Sequence, residues 1–159
     1  MPTTGVAKPG APVTAVWREP DHERLDLFMT DVAGHVVNTY FEHDRWQPAW
    51  SALDAANLQA QPGQRVSALW RDHGHLDVFL VDANGIVRST YYEHDAWQAH
   101  WFSVGSVRAI PGQPVTALWR RERQKPDDVH LDLFLTAADG RVMGTFWQRE
   151  GGWHDWFTI

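Results

Sequence analysis

The sequence predicts an all-β protein made of three four-stranded antiparallel propeller blades, and three observations carry that prediction. One unit of about fifty residues occurs three times, opening at Pro9-Gly10, Pro62-Gly63 and Pro111-Gly112. Within each unit the apolar segments are six or seven residues long and rich in Val, Leu, Thr and aromatics, which is strand rather than helix chemistry. Tight turns ending in glycine separate them. A repeat of this length with four short strands is the sequence sign of a propeller blade. The units fall at residues 9–61, 62–110 and 111–159, with 1–8 as an inter-blade linker segment.

The first strand reads VTAVWR at 13–18, VSALWR at 66–71 and VTALWR at 115–120. Val13, Ala15 and Trp17 point one way and Val16 the other, so both faces are apolar, as stacked blades require. The second strand reads LDLFMT at 25–30, LDVFLV at 76–81 and LDLFLT at 131–136. The stretch between these two strands differs in length among the units and is polar, which marks a surface loop. The next turn holds Ala33-Gly34, Asn84-Gly85 or Asp139-Gly140, and glycine tolerates the positive φ of a hairpin turn. The third strand spans 36–42, 87–93 and 142–148. The fourth carries a tryptophan pair in each unit. Trp46 and Trp50, and Trp97 and Trp101, are four apart and face the same way in an extended strand. Trp153 and Trp156 are three apart, which calls for a bulge in the third unit.

The bulk composition narrows the function classes. A net charge of −6 disfavours nucleic acid and a basic membrane-surface patch. No run of about 18 apolar residues is present to span a membrane. There is no cysteine, and the N-terminus shows no apolar signal region, so a cytoplasmic or non-classically secreted location is expected. The residues after Trp156 and those before Pro9 together match one inter-blade linker, so the chain reads as a whole number of blades. Three blades cannot close a ring. Head-to-tail self-association is therefore expected, two chains giving six blades or three chains giving nine.

The units, for example PVTALWR…HLDLFLTAADGRVMGTFWQ…GWHDWF, resemble the repeats of bacterial and fungal propeller lectins, the Photorhabdus-type and the fucose-binding kinds. The resemblance runs from Pro9 to Ile159. It implies a glycan-binding, non-enzymatic protein and, for short chains, ring closure by oligomerisation.

Residues that recur among the units are the site candidates. Trp17, Trp70 and Trp119 read as inter-blade core. One tryptophan of each pair (Trp46, Trp50; Trp97, Trp101; Trp153, Trp156) either joins the core or forms a wall for the apolar face of a sugar ring. Arg18, Arg71 and Arg120 supply forked donors, and Glu42, Glu93 and Gln148 supply acceptors, for vicinal hydroxyls. The competing reading pairs Arg18 with Asp26, Arg71 with Asp77 and Arg120 with Asp132, because an aspartate inside an apolar strand needs a partner. The repeated Glu-His-Asp at 42–44 and 93–95 becomes Gln-Arg-Glu at 148–150 and fits no zinc or EF-hand spacing, so neither metal nor cofactor is expected. Thr39, Thr90 and Thr145 read as strand residues rather than nucleophiles. A hydrolase would need one asymmetric carboxylate pair, whereas the acids here repeat. A multivalent lectin, with one shallow site per blade or blade junction, is the leading expectation. A protein-binding scaffold, or an engineered or partial propeller without an evolved ligand, is the alternative.

Overall fold

The computed structural model describes residues 6–18, 21–53, 58–122 and 125–159; of residues 122 and 125–128 it describes the backbone. Three antiparallel sheets follow one another along the chain. The first holds β1 (Thr14–Trp17), β2 (Arg24–Thr30), β3 (Val36–Glu42), β4 (Arg45–Trp46) and β5 (Ser51–Ala52). The second holds β6 (Ser67–Asp72), β7 (His75–Val81), β8 (Ile86–Glu93), β9 (Ala96–Trp97) and β10 (Phe102–Arg108). The third holds β11 (Thr116–Glu122), β12 (Lys125–Thr136), β13 (Val142–Gln148), β14 (Gly152–Trp153) and β15 (Phe157–Thr158). No helix among the described residues is long and apolar enough to cross a membrane.

Register converts the repeat into two rows of side chains on each blade. Directly paired residues point to the same face. Trp17, Leu25, Phe41 and Trp46 line up across the first blade. Trp70, Leu76, Tyr92 and Trp97 line up across the second, and Trp119, Leu131, Trp147 and Trp153 across the third. One residue along, an aspartate row faces the other way: Val16, Asp26 and Tyr40, then Leu69, Asp77 and Tyr91, then Leu118, Asp132 and Phe146.

The fourth strand of each blade is broken. Phe41 pairs with Trp46, but Asn38 pairs with Ser51, so two residues of β3 oppose four of the returning chain. The second blade repeats this between Tyr92/Trp97 and Ser89/Phe102. In the third, Thr145 and Phe146 oppose three residues, between the pairs Trp147/Trp153 and Gly144/Phe157. The expectation that each four-apart pair lies on one face of an extended strand is therefore wrong. All three blades bulge, and the one-residue difference in bulge length is the one-residue difference in tryptophan spacing. The buried threonines hold the bulge: Thr90 Oγ1 donates to the His100 carbonyl (3.4 Å) and Thr145 Oγ1 to that of His154 (2.6 Å).

Blades stack through these rows. Phe28 of blade 1 meets Trp97 of blade 2 edge-on at 6.0 Å and 87°. Phe79 of blade 2 meets Trp153 of blade 3 at 5.9 Å and 86°. Both phenylalanines are fully buried, which stabilises each junction by about 1.5–3 kcal/mol per ring. On the innermost strands, Thr14 Oγ1 donates to the Val66 carbonyl and Ser67 Oγ to that of Val115. The linkers seat on the glycine turns: Ala60 N donates to Gly34 O (3.3 Å) and Ala109 N to Gly85 O (3.0 Å). Gly34 has φ +87°, and a β-carbon there would lie 2.6 Å from the Ala60 carbonyl oxygen, so both the turn and the close approach require glycine.

The inserted stretch of the third unit extends a hairpin, with β11 and β12 paired out to Glu122 and Lys125, rather than forming an irregular loop.

Candidate functional site

Between two blades the aspartate row of one faces the tryptophan row of the next, and at the end where the β1–β2 type hairpins turn the two rows part into a cleft. Between blades 2 and 3 this cleft has a volume of about 760 Å³. Blade 2 contributes Arg71, Asp77, Tyr91, Glu93 and Phe102, and blade 3 contributes Trp119, Arg121, Trp147, Arg149 and Trp153. Arg71 donates from Nε to Asp77 Oδ2 (2.9 Å) and from Nη2 to Oδ1 (2.7 Å). Its guanidinium carbon lies 4.2 Å from the centre of the Trp147 ring and 5.5 Å from that of Trp119. The buried aspartate fixes the fork, and the aromatic faces of the next blade accept its charge.

The remaining wall is aromatic and hydrogen-bonding together. His75 stacks on Tyr91 at 4.9 Å, and Tyr91 on the exposed Phe102 at 6.2 Å and 22°. His75 Nδ1 lies 3.3 Å from Glu93 Oε1. The Trp119 indole N–H is buried and has no hydrogen-bond partner. A buried donor without a partner costs roughly 1–3 kcal/mol, so an acceptor placed against it gains that much.

The cleft between blades 1 and 2 uses the same plan with one exchange. Its lining includes Arg18, Arg24, Tyr40, Glu42, Trp70, Tyr92 and Glu93. The fork on Asp26 is Arg24, from Nε (3.1 Å) and Nη2 (2.9 Å). Arg24 lies 3.8 Å over Tyr40, 5.5 Å from Tyr92 and 5.8 Å from Trp70. Burial works against its charge, but the hydrogen bond and attraction to Asp26 outweigh that and hold its pKa above the ordinary arginine value. Burial also raises the Tyr92 hydroxyl, which keeps it neutral and hydrogen-bonded to Asp95 (3.2 Å). The Trp70 indole N–H, like that of Trp119, is buried without a partner.

The expected pairings thus divide. Arg71–Asp77 and Arg120–Asp132 form, the latter at 2.9 Å. Arg18–Asp26 does not form: Arg24 already occupies that aspartate, and Arg18 turns to Asp21 (3.2 Å), Glu23 (3.5 Å) and Glu42 (3.3 Å). Position 24 corresponds to His75 and His130 in the other units, so the repeat alignment gives no sign that its side chain takes over the fork.

The tryptophan pairs split as well. Trp153 lines a cleft and packs against Phe79, Trp97 packs in the same way against Phe28 and also against Tyr92, and Trp101 is buried in the core between blades 1 and 2. Trp156 lines a second cavity between blades 2 and 3, beside Val107, Arg108 and Met143, and donates its Nε1 to the Val104 carbonyl (2.8 Å). Trp50 is half-buried beside β5, and Trp46 is exposed and tilted on Phe41 at 5.4 Å. Gln148 ends β13 and pairs with Gly152 and His130. Trp17, expected in the core, is half-exposed, because no blade covers its side of blade 1. Trp70 is buried in the core between blades 1 and 2 and Trp119 packs against the core between blades 2 and 3, as expected, and both also line the clefts; sequence reasoning did not single out Trp147, Tyr91 or Phe102 for the cleft, although each occupies a recurring register position. Among the described residues no group of His, Asp and Glu could hold a metal ion. The repeated His-Asp is turn chemistry: His43, Asp44, His94 and Asp95 all have φ between 52° and 60°.

No family model matches the chain, and no curated protein matches it. Solved structures do. The chain is similar to the BP39L lectin of Burkholderia pseudomallei, at 23% identity and TM-score 0.77 over 98% of this chain and 42% of that one. It is similar to the lectin of Aleuria aurantia, described as a six-bladed β-propeller with a novel fucose recognition mode, at 14% identity and TM-score 0.66 over 97% of this chain and 46% of that one. A fucose lectin of Kordia zhangzhouensis, in complex with methyl-fucoside, matches at 13% identity and TM-score 0.56 over 93% of this chain and 97% of that one. The chain thus spans under half the length of the first two lectins and nearly all of the third. Its three sheets have the fold of propeller lectin blades.

Proposed function

We propose that the protein is a non-enzymatic, multivalent carbohydrate-binding propeller whose sites are the clefts between adjacent blades. The observation that carries this reading is the blade 2–blade 3 cleft, where a fixed guanidinium, a carboxylate and an unpartnered indole N–H surround an exposed aromatic face. A pyranose has this pattern in reverse: an apolar C–H face to lie on Phe102, with vicinal hydroxyls to accept from Arg and Trp119 and donate to Glu93. The ligands of the similar lectins, fucose and methyl-fucoside, support a sugar of this class. Of the residues expected to bind, Arg71 and Trp153 serve one cleft, Arg18 and Glu42 the other, and Glu93 lines both. Arg120, Gln148 and Trp46 belong to the bared sides of the end blades. Two chains complete a six-bladed ring, the blade number of the Aleuria lectin; three chains would give nine.

A glycan array tests this. The wild type is expected to retain one class of glycan, and Phe102→Ala and Trp119→Phe to retain it at least tenfold more weakly, because Phe102 is exposed and Trp119→Phe keeps an aromatic ring while deleting the N–H. Folded protein that retains no glycan, or variants that bind as the wild type does, would contradict the proposal.

A further inference from the structure

The two clefts within the chain share a plan but not a charge. The difference lies one rung beyond the tryptophan row, toward the hairpin end. In blade 3, Arg121 follows Trp119 by two residues along β11 and pairs with Val129, so it stands on the face of the row. Arg149 follows Trp147 by two residues, just past the end of β13. Both arginines are exposed, and both line the blade 2–blade 3 cleft. The corresponding positions are Asp72 and His94 in the second unit and Glu19 and His43 in the first. Asp72 and His94 line the blade 1–blade 2 cleft. Where one cleft presents two guanidiniums, the other presents a carboxylate and an imidazole. The other charged groups are already engaged. Arg71 is tied to Asp77, Arg24 to Asp26, and Arg18 to Asp21, Glu23 and Glu42. Glu93 Oε1 lies 3.3 Å from His75 Nδ1, and Asp72 Oδ1 accepts from the Gly74 amide (2.9 Å). The side chains of Arg121 and Arg149 make no ion pair among the described residues.

We propose that the blade 2–blade 3 cleft takes a saccharide bearing an anionic substituent, a sulfate ester or a carboxylate, gripped by Arg121 and Arg149, and that the blade 1–blade 2 cleft takes neutral sugar only. The proposal rests on the saccharide reading of the two clefts. A sulfate or carboxylate presents several acceptor oxygens, and an arginine fork matches such a group with two charge-assisted hydrogen bonds. The sugar ring lies against the aromatic wall while its anionic group reaches the outer rung of blade 3. In the blade 1–blade 2 cleft the same group would meet the Asp72 carboxylate at the position of Arg121. No arginine there is left to receive it, since Arg18 and Arg24 are held by acids of blade 1. Like charge facing like charge then disfavours the anionic ligand. Two clefts built from one repeat thus select saccharides by charge.

Titration calorimetry on wild type and Arg121→Gln/Arg149→Gln tests this, with two pairs of probes: α-methyl-L-fucoside against its monosulfates, and methyl α-D-galactoside against methyl α-D-galacturonide. The wild type is expected to bind the anionic member of at least one pair about tenfold or more tighter than its neutral parent, at one tight site per chain. The pair with the larger gain identifies the group as sulfate or carboxylate. Because both guanidiniums are exposed, the preference is expected to shrink as salt rises from about 20 to about 500 mM. The double variant breaks no ion pair, so it is expected to keep the wild-type urea midpoint and to lose the preference. A wild type that binds neutral and anionic members alike, a preference indifferent to salt, or a double variant that keeps it would overturn the proposal. Neutral fucoside bound without any anionic preference confines the failure to the charge selection. Folded wild type that binds no saccharide of either kind sinks the saccharide reading, and the charge selection falls with it.

Discussion

Asp77 lies buried in the middle of a strand, where an unpaired charge is costly, and Arg71 is the side chain that makes it tolerable. Removing Arg71 takes away both hydrogen bonds of the fork and leaves the buried Asp77 facing His75 Nε2 at 3.4 Å. Arg71→Met is therefore expected to lower stability in urea by about 3–5 kcal/mol, while Arg71→Met/Asp77→Leu recovers most of that loss. A double variant no more stable than the single one would show that the pair does not act as a unit. Asp31 gives a pH signature. Burial pushes its carboxyl up, but the hydrogen bonds from the His35 and Ala33 backbone and the His35 ring outweigh burial and hold its pKa below the ordinary value of 3.8. A carboxyl depressed on folding adds stability above its unfolded pKa, and that stability is lost as pH falls through the folded value. Urea midpoints of the wild type should thus fall below about pH 4. Asp31→Asn should be less stable at pH 7 and show a shallower acid fall; an equal acid fall would assign the effect to other carboxyls.

At the scale of elements, the bulge in the fourth strand decides which tryptophans see solvent. Period-2 arithmetic makes Trp46 and Trp50 neighbours on one face, but it assumes an unbroken ladder, and four residues opposite two break it. The recurring threonine was visible in the sequence; its role was not, because its hydroxyl bonds across the bulge to a residue nine or ten positions on. Thr145→Val, which keeps the branched shape and deletes the hydroxyl, should cost about 0.5–1.5 kcal/mol and loosen the segment from His154 to Trp156, read by hydrogen exchange. Unchanged exchange there would separate the threonine from the bulge. The strands themselves were legible because each short apolar segment carries its own turn signal. The Arg24 exchange was not legible, because Arg18 holds the repeat position of Arg71 and Arg120 while position 24 is histidine in the other two units.

For the whole molecule, the repeat does more than set the fold. It places the aspartate row of each blade against the tryptophan row of the next, so every junction is built with a cleft at one end. The blade count, the antiparallel order and the need for neighbours followed from the sequence, since a unit that is apolar on both faces must be stacked. The sequence left the expected sites on the blades or at their junctions; the choice of the clefts between blades did not follow, because cleft residues come from units about fifty positions apart and meet only once register is known. The most direct measurement is a crystal structure of the protein with α-methyl-L-fucoside or with the saccharide the array selects. The account predicts the sugar between blades 2 and 3, on Phe102 and within hydrogen-bonding distance of the Trp119 indole nitrogen. A sugar bound to the outer strands alone, or interblade clefts empty at saturating concentration, would contradict it.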